Sequence, residues 1–287
     1  MTADAATDAP RDEEAYWNED GGPRWVALQT RIDALFDGLT RTALDRVGPV
    51  AGERVLDIGC GCGATVLQLA ERVGPDGHVT AADFSRVMLA RARERVAEAG
   101  LANVTLEVAD ASTHDFSAAA ADLIFSRFGV MFFTDPAAAF ANIRRGAKPG
   151  GRLAFLCWRP MQESTWFQLP YAAAKPHVPP VPKPAPDAPG PFAFADPDRV
   201  LRILVAAGFE DAAVAPFDVT LDVCGPGEAD AATDFIVQIG PVSRALAGGD
   251  AAQRAAAIDA VRAAMRGAET REGLRLGAAM WLVTASV

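Results

Sequence analysis

Residues 55–63, which read VLDIGCGCG, are the segment best suited to bind a ligand. An apolar run that predicts a strand leads into Gly59, Gly61 and Gly63, and a helical pattern begins directly after them. Glycine lets the backbone turn tightly and approach a ligand closely. Because Gly59, Gly61 and Ala64 also satisfy the dinucleotide spacing G-x-G-x-x-A, the loop alone fits either a dinucleotide or a smaller nucleoside.

Three aspartates favour a nucleoside without a pyrophosphate. Asp57 precedes the first glycine, where a carboxylate suits a cationic group better than a crowded diphosphate. Asp83 ends the second predicted strand, where it can accept hydrogen bonds from both ribose hydroxyls, and Asp110 ends the third, where it can accept one from an adenine amino group. Carboxyl ends of parallel strands meet at one crevice, so the three predict an adenosine ligand. Taken singly, each is also explained as a helix cap or turn residue.

These residues need a scaffold, and the sequence predicts an α/β fold for it. Short apolar segments at 54–58, 78–82, 104–109, 122–126 and 152–158 alternate with helical segments, which indicates repeated βα units and a parallel sheet. Further strands are predicted at about 218–223 and 280–285. Helices are predicted to begin at Ser85, Asp135, Asp196 and Asp250, each at a capping residue.

The segment 160–195 breaks this rhythm, because ten of the twenty prolines lie between Pro160 and Pro191. Such density predicts neither regular helix nor central strand. A lid over a ligand and a flexible linker both fit it. The segment contains Tyr171 and Lys175, the Y-x-x-x-K spacing of short-chain dehydrogenases, but its prolines leave little room for the long helix that those enzymes use.

Composition excludes several classes of protein. Lys and Arg number 27 against 37 Asp and Glu, a net charge of −10 with no basic run, which disfavours nucleic acid as substrate. No uncharged apolar run approaches the roughly 18 residues of a membrane span. The acidic first residues do not resemble a secretory signal, so we expect a cytoplasmic protein. The four cysteines lack metal-binding spacing, and no metal is expected.

Over about residues 50–160 the sequence resembles the class I S-adenosylmethionine-dependent methyltransferases. The family pattern is acidic-x-Gly-x-Gly-x-Gly, an acid ending strand two, Asp-Ala after strand three and a Lys-Pro-Gly-Gly turn before strand five. This chain matches it with Asp57, Gly59, Gly61 and Gly63, then Asp83, Asp110 with Ala111, and residues 148–151. Residues 125–136 and 157–159 further resemble the small-molecule group that includes ubiquinone and menaquinone C-methyltransferases.

The resemblance implies a Rossmann-like seven-stranded sheet, mostly parallel, with an antiparallel last strand and helices on both faces. The expected division is an N-terminal helical lid at 1–45, a cofactor-binding core at 46–160, a proline-rich lid loop at 161–195, and the rest of the core at 196–287 with a helical insertion at about 225–275. A homodimer is one assembly that the sequence allows.

S-adenosylmethionine is therefore the expected cofactor. The resemblance implies that Ser126 and Arg127 border its methionine part and that an N-terminal segment with Trp25 and Gln29 folds over it. A packing role in the core fits Trp17 and Trp25 equally well. Phe84 and Met88 follow Asp83, where both fit contacts to the adenine faces, and the helical spacing of Met88 also fits a core residue. The full set of expected cofactor residues is Asp57, Gly59, Cys60, Gly61, Gly63, Asp83, Phe84, Met88, Asp110, Ala111, Ser126, Arg127, Trp25 and Gln29.

The expected acceptor is a small, partly aromatic or apolar molecule. Its candidate contacts follow predicted strands four and five, which end at the same edge of the sheet: Phe128, Met131, Phe132, Trp158, Arg159 and Trp166. Arg127 and Arg159 favour an anionic or phenolic group, unless they pair with structural carboxylates. Residues 126–129 lack the Asn/Asp-Pro-Pro-aromatic tetrapeptide of many amino-group enzymes, which leaves O- and C-methylation open.

The catalytic residues are unknown from sequence, with His114 and His177 as weak candidates for a general base. A base helps transfer to a hydroxyl or an acidic carbon but is optional for a strong nucleophile. His78 opens a strand at the far end from the glycines and is expected to be structural. Two alternatives stay open: a protein that binds the cofactor without turnover, and an NAD(P)-dependent oxidoreductase.

Overall fold

A seven-stranded sheet organises the protein, whose computed structural model describes residues 13–182, 184–185 and 188–287. The strand order is β3-β2-β1-β4-β5-β7-β6. Strands β1 to β5 pair in parallel, and β7 is antiparallel to both β5 and β6, as the resemblance implied. The strands are β1 (Arg54–Ile58), β2 (His78–Asp83), β3 (Val104–Val108), β4 (Ala121–Arg127), β5 (Ala147–Trp158), β6 (Glu210–Cys224) and β7 (Leu274–Ser286).

Helices cover both faces of this sheet. They are α1 (Glu13–Glu19), α2 (Gly21–Ala27), α3 (Gln29–Val47), α4 (Ala64–Val73), α5 (Arg86–Glu98), α6 (Pro136–Arg144), α7 (Thr165–Ala174), α8 (Pro197–Ala206), α9 (Ala229–Ile236), α10 (Gly240–Ala247) and α11 (Ala251–Ala268). Across the described part of the chain, no helix combines the length and apolar character needed to cross a bilayer.

The predicted helix starts are confirmed by their capping hydrogen bonds. Ser85 Oγ accepts from the Met88 amide at 3.4 Å, and Asp135 Oδ1 accepts from the Ala138 amide at 3.0 Å. Asp250 forms a full capping box with Gln253. Each cap satisfies an amide that has no partner inside the helix, which fixes where the helix begins.

Side chains that alternate in direction along the strands form one apolar core on each face of the sheet. Val55 and Phe125 pack with α4 and α5 on one side, whereas Ile58, Ile124 and Phe155 pack with α6 and α8 on the other, and α3 contributes residues to both clusters. Strand residues point alternately to opposite faces, so a parallel strand covered on both sides must be apolar at nearly every position. This requirement explains why the sequence predicted β1 and β4 as continuous apolar runs.

The later strands are longer than the sequence predicted. β6 begins at Glu210 rather than near residue 218, and β7 begins at Leu274 rather than near residue 280. β6 contains Pro216, whose missing amide is tolerated because β6 lies at the edge of the sheet and has a neighbour on one side. The polar residues and the proline of β6 are untypical of a strand, which is why the sequence did not predict its first half.

The expectation that prolines exclude regular helix after residue 160 is wrong for residues 165–174. These residues form α7 with Pro170 inside it, and Lys175–His177 continues as a 3₁₀ turn. Pro170 removes one backbone hydrogen bond, to the carbonyl of Trp166. The loss is offset by burial, because Trp166, Phe167 and Pro170 are all buried against the core. The helix is held by tertiary packing with α10 and α11.

Candidate functional site

The glycine loop after β1 is in direct backbone contact with the loop after β4. Gly59, Gly61 and Gly63 have φ values of 70°, 55° and 82°, in the left-handed region that favours glycine. A Cβ on Gly59 would lie 2.6 Å from Gly129 Cα, so only glycine fits there. A Cβ on Gly61 would meet nothing closer than Met88 Sδ at 3.9 Å, so the buried Met88 lies beside the loop.

Asp57 carries a buried carboxylate that the protein satisfies only in part. Its Oδ2 accepts a hydrogen bond from Thr65 Oγ1, while its buried Oδ1 has no partner among the described residues. Burial raises the pKa of Asp57 to about 7, although the charge of Arg127 opposes the shift. A buried acceptor without a partner is costly, so Asp57 fits a ligand that brings a donor or a positive charge.

Asp83 links the end of β2 to the glycine loop. Its Oδ1 accepts from the Ser85 amide and its Oδ2 from the Gly61 amide, both at 2.8 Å. Burial raises the pKa of Asp83 to about 6, and these two hydrogen bonds oppose the shift. Each carboxylate oxygen can accept a second hydrogen bond, so Asp83 retains capacity for ligand hydroxyls.

Asp110 and Ala111 form an anchored turn at the end of β3. Asp110 is exposed, and its Oδ1 accepts from both the amide and the hydroxyl of Ser112. The carbonyl of Ala111 accepts from Asn142 Nδ2 of α6 at 2.9 Å. The turn role that the sequence left open for Asp110 is therefore present, and an adenine contact requires its other oxygen.

Helices α1 and α2 lie against the end of β2. Ser85 Oγ donates to the carbonyl of Trp17 at 2.6 Å, and Asn18 both donates to the Phe84 carbonyl and accepts from the Arg86 amide. This places Phe84 under the N-terminal segment. The sequence did not single out Asn18, because its partners lie 66 and 68 residues away along the chain.

The ring of Trp17 joins two of the expected site residues. It makes edge contacts with Trp25 at 5.8 Å and with Phe132 at 5.5 Å between ring centroids. Trp25, expected at the cofactor, and Phe132, expected at the acceptor, thus lie in one aromatic group. This group connects the N-terminal helices to the segment after β4.

Gln29 belongs to a polar network between α3 and α5. Its Nε2 donates to Asp33 and its Oε1 accepts from Arg91, while Asp33 also pairs with Arg95. Arg95 in turn donates to the carbonyl of Cys62 in the glycine loop. Asp33, Arg91 and Arg95 were missed in the sequence, although Gln29/Asp33 and Arg91/Arg95 both have the i,i+4 spacing of one helix face.

Ser126 and Arg127 end β4 beside this network. Ser126 Oγ accepts from the Gly129 amide at 3.2 Å, and Arg127 Nη1 donates to Thr40 Oγ1 at 2.7 Å. Burial lowers the pKa of Arg127. Arg127 also lines a cavity of about 190 Å³ together with Asp33, Asp37, Arg41, Ala64, Leu67, Gln68, Glu71 and Arg95.

Phe128 has an unusual backbone for its residue type, with φ at 66°. Its ring stacks on Trp158 with centroids 4.3 Å apart and planes 11° from parallel. Phe36 packs edge-on to Phe128, and Phe167 packs edge-on to Trp158. Left-handed bulky residues are rare and cluster at functional sites. The structure thus brings together Phe128 and Trp158, which the sequence placed at the acceptor.

Two other acceptor candidates are buried in the core. Met131 and Trp166 are 1% and 3% exposed, and both belong to the main apolar cluster. The carbonyl of Met131 accepts from the Gly190 amide at 3.0 Å. These residues support the wall around Phe128 and the segment near residue 190.

Of the two alternatives that the sequence left open for Arg159, the structure has the pairing with structural carboxylates. Arg159 contacts Glu163 and Asp218, and its guanidinium lies 4.8 Å from the centre of the Trp281 ring. Two carboxylates neutralise one guanidinium. Asp218 lies 59 residues away in the chain, whereas Glu163 has the i,i+4 spacing that the sequence itself displays.

The two histidine candidates lie in dissimilar places. His114 Nε2 is 3.1 Å from Glu107 Oε2 of β3, and the His114 ring packs on Phe116. His177 is exposed in the 3₁₀ turn after α7. Within residues 13–182, 184–185 and 188–287, no group of three or more His, Cys, Asp and Glu side chains is arranged to hold a metal ion.

The N-terminal helices also contact the helical insertion between β6 and β7. Arg24 of α2 donates to Ser243 Oγ of α10 at 3.2 Å. Arg31 of α3 donates to the carbonyl of Ala231 at 3.0 Å and lies over the ring of Phe235 in α9. The insertion and the N-terminal helices thus form one continuous cover.

Comparison with known proteins finds a match for the central part of the chain, which contains the glycine loop, Asp57 and Asp83. Residues 55–151 match the family described as a methyltransferase domain. Over 120 residues the chain is 42% identical to the aklanonic acid methyltransferase of Streptomyces sp. (strain C5), covering 42% of this chain and 54% of that protein. It is 35% identical over 118 residues to the nocamycin O-methyltransferase of Saccharothrix syringae, covering 41% and 42%.

A third relative is the demethylmenaquinone methyltransferase of Listeria monocytogenes serotype 4a, 40% identical over 103 residues, which is 36% of this chain and 44% of that protein. The matches thus span about half the length of these relatives. The methyltransferase domain was expected from the glycine loop and the aspartates. Relatives of the menaquinone type were expected from residues 125–136 and 157–159.

Solved structures share the fold. The phosphoethanolamine N-methyltransferase 2 of Haemonchus contortus, solved with S-adenosylhomocysteine, is 21% identical with a TM-score of 0.52, covering 87% of this chain and 52% of that chain. The cyclase SpnF is 23% identical with a TM-score of 0.52, covering 87% and 80%. Because a cyclase and a methyltransferase have this fold, the fold alone does not decide the reaction.

Proposed function

We propose that the protein transfers the methyl group of S-adenosylmethionine to a small-molecule acceptor, because residues 55–151 match the family described as a methyltransferase domain. The observation that carries the proposal is the buried Oδ1 of Asp57, which has no partner in the described protein and lies beside the glycine loop. A dinucleotide would bring phosphates toward this carboxylate, whereas S-adenosylmethionine brings an ammonium and a sulfonium. Charge therefore favours the latter.

The residues around the loop fit this cofactor. Asp83 would accept from the ribose hydroxyls, and Asp57 would face the cationic amino-acid part. Gly61 leaves room because its nearest side chain is Met88, which would pack on the adenosine with Phe84. The remaining proposed contacts are Gly59, Cys60, Gly63, Asp110, Ala111, Ser126, Arg127 and Trp25, with Gln29 acting through its network.

When bound, S-adenosylmethionine supplies a methyl group already activated for in-line displacement. The protein then has to position the acceptor and exclude water, and orientation alone can contribute about 7–11 kcal/mol. Phe128 and Trp158 would hold an aromatic or apolar face of the acceptor, while the aromatic group around Trp17 closes the site. A small-molecule acceptor is supported by the aklanonic acid, nocamycin and demethylmenaquinone methyltransferases, of which the nocamycin enzyme is an O-methyltransferase.

Calorimetry and product analysis test this function together. We expect S-adenosylhomocysteine and S-adenosylmethionine to bind, whereas NAD and NADP do not. Incubation with phenolic and quinol acceptors should give products that mass spectrometry identifies by the gain of one methyl group. Cofactor binding without turnover of any acceptor would favour the noncatalytic alternative, and preferential binding of NAD or NADP would overturn the proposal.

Cofactor affinity should fall as the pH is lowered through the raised pKa values of Asp57 and Asp83, about 7 and about 6. Ligand donors and positive charge favour the ionised carboxylates, so binding releases protons and is weakened by protonation. Calorimetry of S-adenosylmethionine from about pH 5.5 to 8 measures this slope. Asp57→Asn should remove the component near pH 7 and leave the one near pH 6. A flat profile would contradict the two contacts.

The unliganded protein should show the opposite dependence of stability from these groups. Their folded-state pKa values lie above those of the unfolded chain, so the unfolded state releases its protons first as the pH rises. Their stabilising contribution is thus present below about pH 4 and lost by about pH 7.

Cytoplasmic localisation, the homodimer and the exclusion of nucleic-acid substrates stay predictions made from the sequence.

A further inference from the structure

One ion pair connects the N-terminal helix α3 to the glycine loop. Asp33 Oδ2 of α3 lies 2.7 Å from Arg95 Nη2 of α5, and Arg95 Nη1 donates to the carbonyl of Cys62 at 2.6 Å. The two side chains are 20% and 14% exposed, so solvent screens the pair only weakly. A single guanidinium therefore has one partner on the N-terminal helix and one in the loop.

A second contact restrains the carboxylate of this pair. Gln29 Nε2 donates to Asp33 Oδ2 at 2.6 Å, and Gln29 Oε1 accepts from Arg91 Nε at 3.2 Å. Gln29 is 8% exposed. Asp33 is thereby held by Arg95 of α5 and by Gln29, which itself contacts Arg91 of α5. These contacts fix the position of the first turns of α3 relative to the loop.

The direction of the Cys62 carbonyl is tied to the backbone conformation of the glycine loop. Cys62 precedes Gly63, whose φ of 82° begins α4, so a rotation of the peptide between them would change this left-handed turn. A hydrogen bond from a charged donor is about twice as strong as a neutral one, and it fixes the direction of the carbonyl. The same residues, Asp33 and Arg95, line the cavity beside Arg127.

We propose that Arg95 is a positioning residue that, with Asp33, couples the docking of α3 to the ligand-binding conformation of the glycine loop. The inference rests on the proposed function in taking S-adenosylmethionine as the ligand of the loop. Arginine is required because its planar fork donates in two directions at once, whereas lysine presents a point charge. Affinity for the cofactor then depends on the N-terminal helix without a direct contact from Asp33 or Arg95.

The first test is S-adenosylhomocysteine binding by calorimetry. Arg95→Gln should weaken binding by at least about ten-fold, which corresponds to about 1.4 kcal/mol. Arg95→Lys should recover part of the loss, and Arg93→Gln, an exposed arginine on the same helix, should have no effect. Adding Asp33→Asn to Arg95→Gln should cause little further loss, because the two act as one unit. In turnover, the KM for S-adenosylmethionine should rise while kcat at saturation stays unchanged.

Hydrogen exchange gives a readout that needs no ligand. Arg95→Gln should speed exchange at the amides of residues 59–63, and Arg93→Gln should not. A lowered melting temperature with unchanged affinity and unchanged loop exchange would show a purely structural role and overturn the inference. If Arg95→Gln does not fold, Arg95→Lys carries both measurements. A wild-type protein that binds no S-adenosylhomocysteine would refute the proposed function, while the exchange comparison would still decide the role of Arg95.

Discussion

Asp83→Ala should weaken S-adenosylhomocysteine binding by roughly ten- to a few-hundred-fold, because it removes charge-assisted hydrogen bonds worth about 1.5–3 kcal/mol each. Asp83 is the carboxylate expected to accept from the ribose hydroxyls, and it is buried at the end of β2. The substitution also leaves the Gly61 and Ser85 amides without their acceptor, so the loop loses order as well as a ligand contact. Isothermal titration at pH 7.5 or above measures the effect on the ionised form.

A matched control separates the ligand contact from a general effect of charge. Asp76 is exposed and lies just before the opposite end of β2, so Asp76→Ala removes the same charge far from the loop. Its affinity should equal that of the wild type. Asp83→Asn keeps an acceptor oxygen and should lose less than Asp83→Ala. Unchanged affinity in a folded Asp83→Ala protein would refute the ribose assignment.

Gly59→Ala should be among the most damaging single substitutions in the protein. The new Cβ would lie 2.6 Å from Gly129 Cα, and neither backbone can relieve the contact by changing a rotamer. Left-handed strain of about 1–2 kcal/mol adds to an overpacking cost of about 1–3 kcal/mol. Because the loops after β1 and β4 must move apart, cofactor binding should also be lost. Urea unfolding and calorimetry measure the two effects.

Gly61→Ala is the control for strain alone. Its φ of 55° imposes a similar backbone cost, but the nearest atom to its Cβ is Met88 Sδ at 3.9 Å. The difference in unfolding free energy between the two variants therefore reports the contact between Gly59 and Gly129. Equal destabilisation by both substitutions would show that this contact contributes nothing.

Local physical rules made much of the fold predictable from sequence. The glycine loop, the caps at Ser85, Asp135 and Asp250, and the apolar strands β1 and β4 each depend on residues close together in the chain. Asp57 and Asp83 could be predicted for the same reason, since each lies at the carboxyl end of an apolar strand. The carboxyl edge of a parallel sheet then brings them together.

The features that the sequence did not predict depend on contacts between segments that are distant in the chain. Pro170 argues against a helix on local grounds, but burial of Trp166 and Phe167 against α10, α11 and the sheet outweighs the lost hydrogen bond. For Arg159 the sequence left an acceptor role and a structural ion pair open, because its partner Asp218 is distant in the chain and the nearby Glu163 alone does not decide between them. The same limitation concealed the Asp33–Arg95 pair, since nothing in α3 alone specifies which residue of α5 it meets.

The position of β7 has a consequence for how the protein is made. β7 lies between β5 and β6, so β6 has no described strand neighbour until residues 274–286 have left the ribosome. Until then β5 is an open sheet edge carrying Phe155, Leu156 and Cys157, all fully buried in the finished fold. Such an apolar edge is prone to pair with other chains. Closure of the sheet therefore requires residues 274–286, even though β5 and β6 are complete 50 or more residues earlier in the chain.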